Sequence, residues 1–337
     1  MARIKRTVKV AAFALLMVFV AIIILTYNRL SISYKWQDKN NVLLEGWLGA
    51  TTLEKFSAHI IDHKPDSIFL YGWYFDCSSP ATKADTIPQE EEKSAMKLIG
   101  NSTIYITPEF PTQEKPESSA LTLVLEGDSA RGYAAHYSLF INDHLVKTGF
   151  AGRNQKIIKV KLAPQKFKTI GISFDNDTRT ETGDRNLSVV SVSLNNTKLT
   201  SSNATWATQR SSFTNIGSYR SNAQYVKQYL HDLGVDTTII QTYLTTLPTR
   251  GNTLALARKF NQVQQQRTAL QSAQMYIFGD NTHALRSFVS FRRAAYTPEN
   301  IGIYTHPREK DNIAVNSFRN KLKETFTVIF VLLFFHL

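Results

Sequence analysis

Hydrophobic positions along the chain change period twice, and the changes divide its main part into three stretches. From Asn41, short apolar runs alternate with segments of helical spacing. NVLLEG reads as a strand, and TTLEKFSAHIIDH as a helix whose Leu53, Phe56, Ile60 and Ile61 share one face. SIFLYG reads as the next strand. Far downstream the rhythm resumes: SNAQYVKQYLHDLG, NTLALARKFNQVQQQ and HALRSFVSFRRAA have helical spacing, while DTTIIQ, QMYIFG and NIGIYT read as strands. Strands alternating with helices imply βαβ crossovers, so these two stretches predict an α/β domain with a Rossmann-like, doubly wound parallel sheet.

Between Asp76 and Ser211 the period falls to two. Leu121, Leu123 and Leu125 alternate with Thr122 and Val124, and Ile158, Val160 and Leu162 with Lys159 and Lys161. Ile170, Ile172 and Phe174 follow, then Val190, Val192 and Leu194 alternating with serines. This pattern predicts an antiparallel, jelly-roll-like β-sandwich with one wet face per sheet. Its flanks, SSPATKADTIPQEEEK and TSSNATWATQRSS, have linker composition. The predicted organisation is a segment 1–27 before the folded part, an α/β domain split into 28–75 and 211–337, and a sandwich inserted at 76–210. The insertion leaves the α/β domain after Tyr71 and Gly72, at the carboxyl end of a parallel strand, where open α/β sheets bind ligands.

At the N-terminus Arg3, Lys5, Arg6 and Lys9 precede an uncharged apolar run from Val10 to Leu25. With its flanks this run is just long enough to cross ~30 Å of hydrocarbon as a helix, and LTYNRLS offers no small-x-small cleavage site. The pattern predicts an N-terminal transmembrane helix, cytoplasmic at its basic end, with the bulk of the chain on the other side. The twelve residues Phe326 to Leu337 are also uncharged. They are too short to span a bilayer and read as a buried or interfacial helix, or as a second membrane contact.

The formal charge of +12 would suggest nucleic acid, but four of the positive charges belong to the topology signal and the rest are dispersed. No nucleic-acid partner is expected. Membrane lipid at the N-terminal helix, anionic headgroups or acidic glycans fit the charge, and so does a solvated basic surface with no partner. Cys77 is the single cysteine, which excludes a disulfide-stapled scaffold. Glycosylation sequons at Asn101, Asn186, Asn195 and Asn203 matter only in a eukaryotic secretory host.

In the α/β stretches, LLEGWLG before a helix, a second strand ending in YGW, HDLGVDTTII, TRGNTLALA and FGDNTHALRSFVSF together resemble the SanA, ElyC and YdcF family of bacterial envelope proteins. The resemblance implies a single-pass anchor in the bacterial inner (cytoplasmic) membrane, a periplasmic or extracellular body, and envelope-assembly proteins as partners. It places Glu45 and Trp47 after the first strand, facing a pocket. Arg250, Asn252 and Thr253 open a helix, where free amides and a cation favour an anion. Asp280, His283 and Arg286 stand at the start of the next helix, the last two matching the family's His-x-x-Arg. Glu45 and His283 are the candidates for proton transfer. A solvated or ion-paired role is the alternative for each of these residues. No Walker sequence, GxSxG, HExxH or complete GxGxxG is present, so enzymatic activity is left open.

In the period-two stretch, EGDSARGY, YSLFIND and FDNDTRTETGDRNLSVVSVSLNN resemble the small calcium-dependent carbohydrate-binding modules of xylan and related glycans. In that family an Asn-Asp pair closing one strand and an Asp-Arg-Asn-Leu opening the next hold calcium, and sugar hydroxyls complete its shell. The matching residues are Asn176-Asp177 and Asp184-Arg185-Asn186-Leu187. The resemblance implies Asp177 and Asp184 as metal ligands, which suits an ion that takes six to eight hard oxygens. Asp175 alternates to the opposite face and is left out of the set. Arg185 is expected to buttress the loop by pairing with an acid. Tyr133, where the family has a Trp-Pro pair, is a candidate for stacking on a sugar ring. The alternative is a polar hairpin whose aspartates merely favour turns.

The function expected from these readings is calcium-dependent binding of a polysaccharide by a membrane-anchored extracytoplasmic protein taking part in cell-envelope or exopolysaccharide biogenesis. The alternative is an enzyme acting on a glycan, lipid-linked sugar or nucleotide-type ligand in the α/β cleft.

Overall fold

The computed structural model describes residues 13–21, 41–45, 50–73, 85–86, 96–109, 119–162, 168–180, 183–210, 217–245, 275–280, 289–291 and 301–306, with isolated positions between 255 and 294. The first elements are β1 (Asn41–Glu45), α1 (Ala50–His63) and β2 (Ser67–Trp73). A run of strands follows: β3 (Asp85–Thr86), β4 (Met96–Leu98), β5 (Ser102–Pro108), β6 (Ser119–Gly127), β7 (Ser129–Ala130), β8 (Tyr133–Ile141), β9 (His144–Ala151) and β10 (Lys156–Leu162). It continues with β11 (Ile170–Phe174), β12 (Arg179–Thr180), β13 (Gly183–Asp184), β14 (Leu187–Leu194), β15 (Thr197–Lys198) and β16 (Ala204–Arg210). Then come α2 (Asn222–Asp232), a short 3-10 turn at Thr237–Ile239, β17 (Ile240–Thr245), β18 (Met275–Asp280) and β19 (Ile301–His306).

The chain divides into two compact units. In one, β1 runs parallel to both β2 and β18, and β18 runs parallel to β19, giving the order β2-β1-β18-β19. Ile68, Phe69 and Leu70 are buried in succession, as are Met275, Tyr276, Ile277 and Phe278. Continuous burial suits strands covered on both faces.

The other unit, which spans Gly46–Asp62 and Gly72–Leu247, holds the sandwich together with most of α1 and all of α2. One sheet has the order β10-β6-β14-β15, with β4 also on β14; the other has the order β3-β16-β5-β11-β8-β7, with β9 also on β8. Every pairing in these sheets is antiparallel. Leu121, Leu123, Leu125, Ile158 and Val192 of the first sheet meet Ile104, Tyr137, Leu139, Ile172 and Trp206 of the second in one apolar core. Burying these side chains supplies the main stabilising term, of order 1.5–3 kcal/mol for each large one. Asn142 and Asp143 between β8 and β9, and Asn195 and Asn196 between β14 and β15, all have positive φ. These are the left-handed pairs that tight hairpins require.

The two outer faces differ. Along β6 burial alternates, as a sheet with one wet face demands. The strand β11 is buried at every residue, and β8 from Ala135 onward. The expectation of one wet face per sheet therefore fails for the second sheet, because α2 covers its outer side. Ser221 caps that helix by accepting from the Gln224 amide, and Ala223, Tyr225, Val226, Tyr229 and Leu230 form its buried face. The helix ends in a Schellman turn: Val235 N–H donates to Leu230 O at 3.0 Å, with Gly234 at φ 87°.

Two expectations are corrected. Among the described residues the chain does not form a Rossmann-like, doubly wound α/β fold with a transmembrane helix; its strands are mostly antiparallel. The physical reason is the balance of strands: β1, α1 and β2 keep the expected parallel crossover, but the longer run from β3 to β16 pairs antiparallel. In α1, Leu53, Phe56 and Ile60 are buried as expected, but Ile61 is 42% exposed.

The second correction concerns the membrane. Residues 13–21 are helical. Among the described residues no helix is long and apolar enough to cross a membrane. The predicted single-pass placement in an inner membrane is withdrawn on that finding. The segment Phe326 to Leu337 lies outside the described residues.

Candidate functional site

The loop between β11 and β14 carries the aspartates singled out by the sequence, and a buried arginine shapes it. Arg185 has no exposed surface and is the largest fully buried side chain described. Its Nε donates to Tyr133 O at 3.1 Å, its Nη1 to Asn176 O at 2.6 Å, and its Nη2 to Ala130 O. Nη1 also donates to Glu54 Oε1 at 2.6 Å, forming a buried ion pair with α1. A buried cation needs its charge balanced and its N–H groups satisfied, and Arg185 meets both conditions. The predicted acid partner is thus real. It lies on a helix 131 positions earlier, with no local pattern to announce it.

The neighbouring side chains are fixed as firmly. Asn176 is buried; its Oδ1 accepts from His136 N–H at 2.7 Å, and its Nδ2 donates to Ala134 O at 3.0 Å. Asp177 N–H donates to Asn101 Oδ1 at 2.7 Å, and Arg185 N–H to Thr178 O at 3.0 Å. On this frame Asp177 is partly exposed and Asp184 is exposed. Asp184 pairs with Arg179 in the small β12–β13 hairpin. Burial, followed by the charge of Asp184, raises the Asp177 carboxyl, and Arg185 lowers it in part. The two carboxylates therefore sit within electrostatic reach of each other.

Asn186, named from the sequence only as part of the motif, and Asp128, not singled out there, also belong to this loop region. Asn186 Nδ2 donates to Asp128 Oδ2 at 3.3 Å, while its Oδ1 is buried without a hydrogen-bond partner. Asp128 also lies 3.7 Å from Lys97 Nζ. Tyr133 is partly exposed, and its hydroxyl donates to Glu54 O at 3.3 Å. Among the described residues no group of three or more His, Cys, Asp or Glu side chains converges on a metal position. A cation here would rest on Asp177 and Asp184 with uncharged oxygens completing its shell. That suits calcium, whose flexible coordination accepts carbonyl and hydroxyl oxygens.

Asp175, two residues before Asp177, turns to the other side of the sheet. Its Oδ1 lies 2.8 Å from His136 Nδ1, and Asp232 Oδ2 at the end of α2 lies 2.9 Å from His136 Nε2. Ser138 Oγ donates to Asp175 Oδ2 at 3.3 Å, and the Tyr225 hydroxyl donates to Oδ1 at 3.1 Å. Gln228 Nε2 donates to Asp232 Oδ1 at 3.2 Å and to Thr148 Oγ1 at 2.9 Å. Phe150 and Tyr229 each stand with their ring centres 5.0 Å from the imidazole. Both ring nitrogens face carboxylates, so His136 donates twice and is an imidazolium. Burial alone would lower its pKa, but the charge and hydrogen bond of Asp175 and those of Asp232 outweigh it and hold it at about 9.

The α/β candidates are described only in part. Glu45 is the last residue of β1 and Asp280 the last of β18. Because β1 and β18 are adjacent and parallel, both positions fall at the carboxyl edge of that sheet, and His306 pairs with Asp280 there. Trp47, Arg250, Asn252, His283 and Arg286 lie outside the described residues.

No family model matches the chain, and no curated protein matches it, so neither comparison supports the SanA, ElyC and YdcF resemblance. Among solved structures, one similar chain is a carbohydrate-binding module in complex with calcium and xylotriose. It is 10% identical and covers 34% of this chain and 95% of that one, with a TM-score of 0.20. A second is a carbohydrate-binding module of a multidomain xylanase from the hindgut metagenome of Trinervitermes trinervoides, at 11% identity, 42% and 98% coverage and a TM-score of 0.20. A third is a family two carbohydrate esterase from Cellvibrio japonicus, at 9% identity, 73% and 94% coverage and a TM-score of 0.19. Overlaps at this level carry no argument about the chemistry of this chain, which rests on its own residues.

Proposed function

We propose that the sandwich binds carbohydrate through a calcium ion held by Asp177 and Asp184. The observation that carries this reading is the pair itself: two carboxylates on one loop, the Asp177 carboxyl raised by burial and then by the charge of Asp184. Repulsion between like charges is relieved by a shared cation. The loop is made rigid from beneath by Arg185, so its geometry is set before any ion arrives. Asn186 Oδ1 adds an unspent oxygen acceptor in the same loop region. The DRNL resemblance supplies the chemical class of the ligand: calcium leaves positions that adjacent sugar hydroxyls fill. Tyr133, on the same frame, would offer a ring face to the sugar.

In this role the loop residues bind and orient. Asp177 and Asp184 provide charge, Arg185 and Asn176 hold the two loop ends, and Asn101 fixes the Asp177 amide. The test is calorimetric titration of the full chain with calcium, followed by a glycan panel that includes xylo-oligosaccharides, with and without calcium. Calcium-dependent glycan binding that disappears in Asp177→Ala and Asp184→Ala is the expected result. Absence of calcium binding, or glycan binding indifferent to both substitutions, overturns it.

A further inference from the structure

The buried array around His136 lies outside the proposed ligand site, yet it is joined to that site by consecutive residues. Asp175 and Asp177 flank Asn176. Asp175 bonds the His136 ring, and Asn176 bonds the His136 backbone. On the far side, Asp232 belongs to the last turn of α2. Polar side-chain bonds join α2 to the sandwich from Asp232 to His136, from Tyr225 to Asp175 and from Gln228 to Thr148.

We propose that Asp175, His136 and Asp232 form a charge-locked latch through which α2 holds the Asn176–Asp177 segment, so that docking of α2 regulates the ligand loop. The latch stands on geometry alone. A fully buried imidazole between two carboxylates is stable only as a cation, because a neutral ring would leave one carboxylate facing a lone pair. Only the part concerning the loop's ligand rests on the calcium reading.

The groups facing His136 fix the direction of any pH response. From beyond β11 comes Asp175, from β8 Ser138 and from β9 Phe150; α2 brings Asp232, Tyr225, Tyr229 and, behind Asp232, His231. Tyr219 bonds Ser138, and the charges of Glu54 and Arg185 reach Tyr229. The three tyrosines on this list have raised pKa values with burial as the first cause, and they stay neutral throughout. His136 is raised above its ordinary value of 6.5. Its contribution is therefore complete below pH 6.5 and is lost as pH rises through about 9.

The experiment is amide hydrogen exchange on the full chain from about pH 6 to 10, corrected for base catalysis. Peptides from α2 and from residues 175–178 should lose protection together as pH passes about 9, while β6 and β14 keep theirs. In Asp232→Asn that midpoint should fall, and exchange in residues 175–178 should quicken by roughly 10-fold, the effect of losing one charge-assisted bond. Calcium alone, titrated into the same variant, should bind more weakly than to the wild type. The latch is overturned if α2 peptides respond while residues 175–178 do not, or if the wild type shows no midpoint. If the wild type binds no calcium, the carbohydrate reading falls, and the exchange arm still decides the latch.

Discussion

Two pairs of carboxylates, separated by one residue of sequence, treat the same electrostatic problem differently. Asp175 is buried and the Asp232 side chain is 9% exposed, and a histidine built into β8 stands between them. Asp177 and Asp184 are partly or wholly exposed, and no cationic side chain is bonded to either among the described hydrogen bonds and ion pairs. In a low-dielectric interior an uncompensated charge costs several kcal/mol, so a buried pair must carry its own counterion. At the surface water screens the repulsion, and the pair is free to wait for a soluble cation. Burial thus separates a structural carboxylate pair from one available to a ligand.

The largest effect in this comparison is expected at Arg185, which supports the exposed pair from below. Arg185→Met takes the Arg185 cation away from buried Glu54 and strips the donors from three carbonyl oxygens. Breaking such a pair costs ~3–5 kcal/mol, to be read from chemical denaturation of the full chain. Arg185→Lys should recover only part of the loss, because an ammonium cannot reach four acceptors in a planar fork. Full recovery by lysine would mean that charge alone, without the fork, holds the loop.

His136→Phe attacks the other pair. The ring volume and the edge-on and tilted contacts with Phe150 and Tyr229 are retained, but Asp175 and Asp232 then face each other without the imidazolium. The expected loss is about 3 kcal/mol near neutral pH, smaller than at Arg185 because one carboxyl can take up a proton instead. The sign of the pH dependence sharpens the test. The wild type loses the His136 contribution as pH rises through about 9, and the variant has none to lose, so the two stability curves should converge at alkaline pH. Curves that stay parallel would show that packing, and not charge, is the function of the ring.

Much of this fold was legible because period-two alternation is direct evidence of a half-buried strand. Leu121, Leu123 and Leu125, and likewise Ile170, Ile172 and Phe174, are core positions as their spacing implies. What alternation hides is the fate of the other face. One wet face per sheet would leave Ser173, between Ile172 and Phe174, in water, yet it is buried, as are His136, Ser138 and Asp175. Their polarity is satisfied by partners far along the chain: Asp232 is 96 positions from His136. A single sequence contains no signal for such a pairing. The same gap affects α2: amphipathic spacing shows that a helix has a buried face, without showing that this face meets the sandwich. In the loop, alternation does not separate Asp175 from Asp177, since residues two apart share a face of a regular strand; they diverge because β11 ends at Phe174 and the chain leaves the pleat. Nor could alternation show that Asp175 would carry a buried role of its own.

The smallest stability effect, and the most informative sign, belongs to Asp177. Its carboxyl is raised by burial and then by Asp184, so in calcium-free protein the charged form is under strain. A raised carboxyl costs stability at neutral pH and recovers it as pH falls through the folded pKa, opposite to the behaviour of a salt-bridged aspartate. Asp177→Asn should therefore leave the calcium-free protein unchanged or slightly more stable, within ~0.5 kcal/mol. With calcium the order should reverse, because a ligand that binds only the folded state stabilises the wild type in proportion to its occupancy, and the amide has lost the charge that holds it. Melting curves of both proteins, with calcium and with a chelator, give the four values needed. A destabilised variant in chelator would place Asp177 with the structural carboxylates, on the same footing as Asp175, and would remove the distinction between the two pairs.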